Sequence, residues 1–187
     1  MPEPQVVQVM RQFKAELFAQ QAAQMQDMAV EWLRIEQRMA ADFSALAQEV
    51  YLMRQDGHRV DRGTIYRLDR YRRMLAQMNQ LITGEYLPYA ERLITAAQLA
   101  AIRRAVDHAT QAIQAAQAET GRLGASFNRL PVEAVVSMAG FASDGSPLAN
   151  LLGQAYPEAA NAVTDALIDA TARGINPRAT AAAMAHA

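Results

Sequence analysis

The sequence predicts an all-α chain on three observations. Helix formers dominate: 39 of the 187 residues are Ala, and Gln, Met, Leu, Arg and Glu supply much of the rest. No stretch alternates apolar and polar residues as a half-buried strand would. Apolar residues instead recur at steps of three and four along spans free of interior Gly and Pro. Together these predict more than about 65% helix, against a usual third. The expected architecture is a long antiparallel helical hairpin or bundle over residues 1–124. A small subdomain of short helices over 125–187 follows it.

The first helix is expected over about 4–53. Its apolar residues fall at Met25, Met28, Trp32, Ile35, Met39, Phe43, Leu46, Val50 and Met53, a heptad seam with one stutter between Met39 and Phe43. Phe13 and Leu17 extend it upstream. An unbroken helix of this span is roughly 75 Å long at 1.5 Å per residue, so it must pack against other helices. Asp56-Gly57-His58 ends it, with Gly57 suited to the left-handed stop position.

A second helix is expected over 62–82, with Leu68, Tyr71, Leu75, Met78 and Ile82 on one face. Thr83-Gly84 marks a break or kink. The third helix, about 85–120, carries the stripe Tyr86, Tyr89, Leu93, Ala97, Ala101, Val106, Ala109, Ile113 and Ala116, with Pro88 in its first turn. Beyond Gly121–Gly124 the elements shorten. A short helix is expected over 131–140 and a loop over 143–146. Ser146-Pro147 and Asn176-Pro177 read as N-cap plus first helical residue. An amphipathic helix runs from Pro157 to Arg173, Gly174 stops it, and a last helix covers 179–186.

Composition narrows the function classes. The net charge of −1 and a pI near 6.3 give no bulk attraction to nucleic acid or to anionic membrane. There is no Cys, hence no disulfide, thiolate metal site or cysteine nucleophile. His58, His108 and His186 are too scattered to suggest a metal site. No uncharged apolar run reaches the ~20 residues of a membrane span. Bundle carboxylate sites want Glu-x-x-His on each of two helices, and that motif does not occur. There is no Gly-rich phosphate loop. No catalytic, cofactor-binding or metal-ligating residues are assigned, and the chain reads as non-enzymatic.

Three constellations carry a sharper alternative. Between Arg54 and Arg73 lie seven Arg, opposed by Asp56, Asp61 and Asp69 and interleaved with Tyr66 and Tyr71. Arg62, Arg70, Arg72 and Arg73 fall opposite the Leu68–Ile82 stripe, so they are candidate partner or phosphate contacts. The plainer reading is a solvated helix face. The Met-rich seam reads as core before it reads as an adaptable groove. Residues 160–184 have a helix-turn-helix outline, but the second helix offers only Arg178, Thr180 and His186 as polar contacts. A helical hairpin with its own core is the better reading.

The stretches GSPLANLLG at 145–153, AANAVTDALI at 159–168 and GINPRATA at 174–181 resemble the tailed-phage head morphogenesis, or minor head, proteins related to Mu F. Further upstream, Gly63, then Arg67-Leu68-Asp69-Arg70-Tyr71 and Leu75, resemble the same family. The resemblance implies a phage or prophage virion protein of few copies at the portal vertex or head interior. Its implied partners are the portal or capsid protein. The helical seam separately offers self-association, and the net negative charge outside Arg54–Arg73 leaves DNA contact weak or incidental. The resemblance also implies a further domain downstream of Ala187, and it brings no catalytic residue. Two other functions stay open: nucleic-acid binding through the Arg54–Arg73 region, and a carrier for a downstream enzymatic domain.

Overall fold

The computed structural model describes residues 4–120 and 147–186. Of these described residues 92% are helical, and none is in a strand. The elements are α1 (Gln5–Gln55), α2 (Arg62–Arg67), α3 (Asp69–Leu81), a π-helical turn (Ile82–Tyr86), α4 (Leu87–Thr120), α5 (Pro147–Arg173) and α6 (Pro177–Ala185). The short helix expected over 131–140 and the loop over 143–146 lie outside the described residues.

The chain divides into two compact units, each built from two separate stretches. One comprises residues 1–28 and 90–149, the other 29–89 and 150–187. This differs from the expected succession of 1–124 and 125–187. The amphipathic C-terminal helices share a core with the middle of α1 instead of closing on themselves.

The second unit holds that core. Met39, Leu46, Ile65, Met74, Ile82, Leu167 and Met184 are its largest fully buried side chains. They come from α1, α2, α3, the π turn, α5 and α6, so the expected hairpin with its own core is not what forms. Val163 and Leu167 of α5 instead join Met39, Phe43 and Val50 of α1. The α1 and α3 segments run antiparallel: Glu49 pairs with Arg70 at one end, and Trp32 meets the Tyr86 ring at 5.1 Å near the other. A buried hydroxyl pair, Tyr71 and Thr164 at 2.8 Å, ties α3 to α5.

Two of the expected boundaries shift, each for a physical reason. The helix expected over 62–82 is interrupted at Leu68, whose backbone is extended (φ −66°, ψ 126°). On an unbroken helix Ile65 and Tyr71 would point about 120° apart. The interruption turns both inward, to 1% and 2% exposure. Asp61 caps the short α2 by accepting the Thr64 N–H at 2.8 Å, and this bond holds its carboxyl below the usual range. At Thr83-Gly84 the chain does not break. It widens into a π turn, with the Leu87 N–H reaching the Ile82 carbonyl, and continues as α4. Pro88 has no N–H to give the Gly84 carbonyl, and its ring needs room there. The wider turn meets both demands.

The fifth helix starts at Pro147, as the Ser146-Pro147 pair leads one to expect, and it runs on through Pro157, where a separate helix is expected to begin. Pro157 cannot donate to the Gly153 carbonyl. Ala155 and Ala159 on either side pack against the core. The two expected glycine stops form. Gly57 (φ +83°) and Gly174 (φ +70°) are the described residues with positive φ. In each, two bonds close the last turn: His58 N–H to Met53 and Gly57 N–H to Arg54, then Ile175 N–H to Ala170 and Gly174 N–H to Thr171. Asn176 caps α6 by accepting the Ala179 N–H at 2.9 Å.

The first unit is thinner in its described residues. The α1 residues up to 28 run antiparallel to α4: Gln20 donates to the Ala97 carbonyl at 3.1 Å, and Phe13 meets the His108 ring at 5.1 Å. The seam fails at its upstream end, because Met25 is 73% exposed. The α4 stripe also shifts: Ala109 is exposed, while His108 is buried at 8% exposure.

Candidate interaction site

The four arginines singled out from the sequence do not share one helix face. Arg62 stands on α2, while Arg70, Arg72 and Arg73 stand on α3 beyond the Leu68 interruption. All four are engaged within the chain, three of them in ion pairs. Arg62 pairs with Asp165 of α5, Arg70 with Glu49 of α1 at 2.8 Å, and Arg72 with Asp69 at 3.0 Å. Arg73 Nε donates to the Asp69 carbonyl at 3.4 Å. All four remain partly exposed, so these pairs add little stability. They do neutralise charge that a phosphate-tracking surface would need free. Arg54, from the same basic run, donates to the Thr171 carbonyl across the α5–α6 turn.

An apolar cleft of about 400 Å³ opens in the second unit. Trp32, Met39 and Phe43 of α1, Met78 of α3, Val163 of α5 and Met184 of α6 line it. Its remaining polar side chains are Glu36, Glu158 and His186, with no Arg or Lys. Glu36 and Glu158 carry no ion pair among the described residues. The methionine seam thus supplies both core and cleft floor. Trp32, in the seam by its spacing, is half-buried at the cleft edge.

The first unit presents a different surface. Val7, Met10, Phe18 and Met25 are large apolar residues exposed along α1. Val7, Phe18 and Met25 fall within about 20° of one another at 100° per residue, so they form one row. The Lys14 ammonium lies over the Phe18 ring, 5.6 Å from its centroid. On the facing side His108 Nε2 meets the Glu16 carboxylate at 3.1 Å. Gln12 donates to the same carboxylate at 2.9 Å. These bonds, Gln12 first and His108 second, hold the Glu16 carboxyl below its ordinary range. Among the described residues, His108 Nδ1 is buried with no hydrogen-bond partner, as are the side-chain Oε1 atoms of Gln20 and Gln98.

Sequence reasoning missed the His108–Glu16 contact, because the pair is separated by 92 positions and joins two helices. It missed the exposed row because Phe18 and Met25 fit an apolar seam as well as an apolar surface. No group of His, Asp and Glu among the described residues is arranged to hold a metal ion. No helix among them is long and apolar enough to cross a membrane. Comparison with known proteins gives no match to a family model, a curated protein or a solved structure.

Proposed function

We propose that this chain is a non-enzymatic structural or assembly protein of a tailed-phage head, of the minor head class. In this reading it docks through its helices on the portal or the capsid interior. The observation that carries the reading is the apolar row Val7, Phe18 and Met25, left exposed on a 51-residue helix. Large apolar side chains aligned along one exposed helix face suit docking on a partner. The sequence likeness at 145–153, 159–168 and 174–181 supplies the kind of assembly. The engaged arginines support docking on protein over docking on nucleic acid, because Arg62, Arg70 and Arg72 already face carboxylates.

The test is a density gradient of the phage heads encoded beside this gene, probed for the chain. Co-migration with heads that contain portal, and loss from heads lacking it, is the expected result. Recovery only at the top of the gradient, with no portal or capsid gene nearby, overturns the reading. Submicromolar binding to DNA at about 150 mM salt, lost on changing Arg62, Arg70, Arg72 and Arg73 to Gln, moves the function to nucleic acid.

A further inference from the structure

Two features of this molecule complement each other. The first unit exposes Phe18 at 57%, beside the exposed Lys14 on the same helix. The second unit has an apolar, methionine-lined cleft whose charged rim is acidic. An aromatic side chain buries about 150–250 Å² and prefers a polarizable, aromatic-edged pocket, which Trp32, Phe43 and three methionines provide. Lysine finds opposite charge at Glu36 and Glu158, in surroundings that contain no other lysine or arginine.

We propose that the cleft of the second unit receives the Phe18 segment of α1 from a second copy of this chain, with Lys14 of that copy set against Glu36 and Glu158. The proposal rests on the exposed row being a binding face, as in the proposed function, and names one occupant for it. The row and the cleft are different surfaces, so the contact is heterologous. Each copy carries one row and one cleft, so association either closes as a reciprocal dimer or propagates beyond one. A contact of one aromatic anchor and a few flanking side chains falls below the ~1,000 Å² of stable interfaces. It is therefore weak, with Kd on the order of 10–100 μM.

Light scattering of the 187-residue chain across two decades of concentration around that value tests it. The average mass is expected to rise with concentration from that of the monomer to that of a dimer or beyond. Phe18→Asp, at an exposed position, is expected to weaken association about tenfold or more. Glu158→Lys weakens it roughly threefold to tenfold, and adding Lys14→Glu to Glu158→Lys restores most of the loss. Ala162 lines the cleft, and Ala162→Arg blocks it. Mixed with Phe18→Asp it leaves one working interface, and the mass stops at a dimer. If Ala162→Arg does not fold, the charge exchange between positions 14 and 158 still decides.

A monomer at every concentration overturns the proposal, and so does association that ignores Phe18→Asp. Loss with Phe18→Asp but no response at position 158 also overturns it, because the row then binds elsewhere. The two readings fail separately. A monomer that still co-sediments with heads through Phe18 removes self-pairing and leaves the head assignment standing. Self-association without head attachment does the reverse.

Discussion

The two units share one long helix, α1, yet they bury it differently. In the second unit α1 is covered by α3 and by α5 and α6, and seven large side chains are fully buried. In the described residues of the first unit α1 meets α4 alone. There the buried positions are small or polar: Ala90, Ala115 and His108. Apolar spacing along a helix therefore states which side chains are available for burial. A third layer decides which of them leave water. Met39 and Met25 occupy the same seam fourteen residues apart, and one is 1% exposed while the other is 73% exposed.

The sharpest way to break this comparison is to truncate one leucine in each unit. Leu46 is 0% exposed, in the middle of the shared core. Leu46→Ala is expected to cost about 3–4 kcal/mol, the transfer term plus a cavity that packed neighbours cannot close. Leu17, half-buried on the same helix, is expected to cost less than about 1.5 kcal/mol as Leu17→Ala. Urea unfolding followed by circular dichroism reads both. Equal losses would mean that the first unit has a core as tight as the second.

Much of this fold was legible in the sequence, and what escaped has a common cause. The all-α class, the extent of α1, the Gly57 and Gly174 stops and the Asn176 cap are local. Each is set by propensity or turn chemistry within a few residues. The Leu68 interruption was not legible, because it depends on Ile65 finding the same core as Tyr71 across a turn. The π turn at 82–86 and the proline inside α5 are likewise helices held through a weak point by packing on either side. The His108–Glu16 pair and the acid-rimmed cleft join residues from different helices. Their spacing in the sequence carries no signal. The methionine and tryptophan positions were visible, but their sharing between core and cleft floor depends on where α5 and α6 lie.

The two glycine stops sharpen the contrast between a local and a tertiary cause. Both require positive φ, which an L side chain adopts at a cost of roughly 1 kcal/mol. A Cβ at Gly57 would meet nothing within 4 Å, whereas one at Gly174 would sit 3.3 Å from Arg54 Nη1. Gly57→Ala is expected to cost about 1 kcal/mol, and Gly174→Ala up to about 1 kcal/mol more. In the Arg54→Ala background the excess at Gly174 should vanish. Thermal melts of the four variants form the cycle, and an excess that persists would place the cost in the backbone alone.

Each arginine is expected to contribute less than either glycine. Changing Arg62, Arg70, Arg72 and Arg73 to Gln together should lower stability by no more than about 1–2 kcal/mol, because each pair is partly exposed. The loss should shrink with added salt. A loss larger than that of Leu46→Ala would show that these pairs, not the buried side chains, hold α2, α3 and α5 together.

The smallest expected effect is a pH response that separates the units by spectroscopic probe. Glu16 in the first unit is held low by Gln12 and then His108. Glu85 in the second is held low by its bond to Arg38. A carboxylate whose folded pKa lies below its unfolded value near 4.3 adds stability above that value, and the contribution is lost as pH falls through the folded pKa. Both contributions are therefore intact at neutral pH and disappear in acid. Trp32, the sole tryptophan, lies against Tyr86 in the second unit, so its fluorescence follows the region beside the Arg38–Glu85 pair. The Gln12 side-chain amide protons, which bond the Glu16 carboxylate, follow the first unit. Glu16→Gln should flatten the acid response of the Gln12 signals and leave that of Trp32 unchanged, and Glu85→Gln should do the opposite. If either variant altered both probes, the two units would respond to acid as one cooperative body. The difference in burial between them would then not extend to their stability.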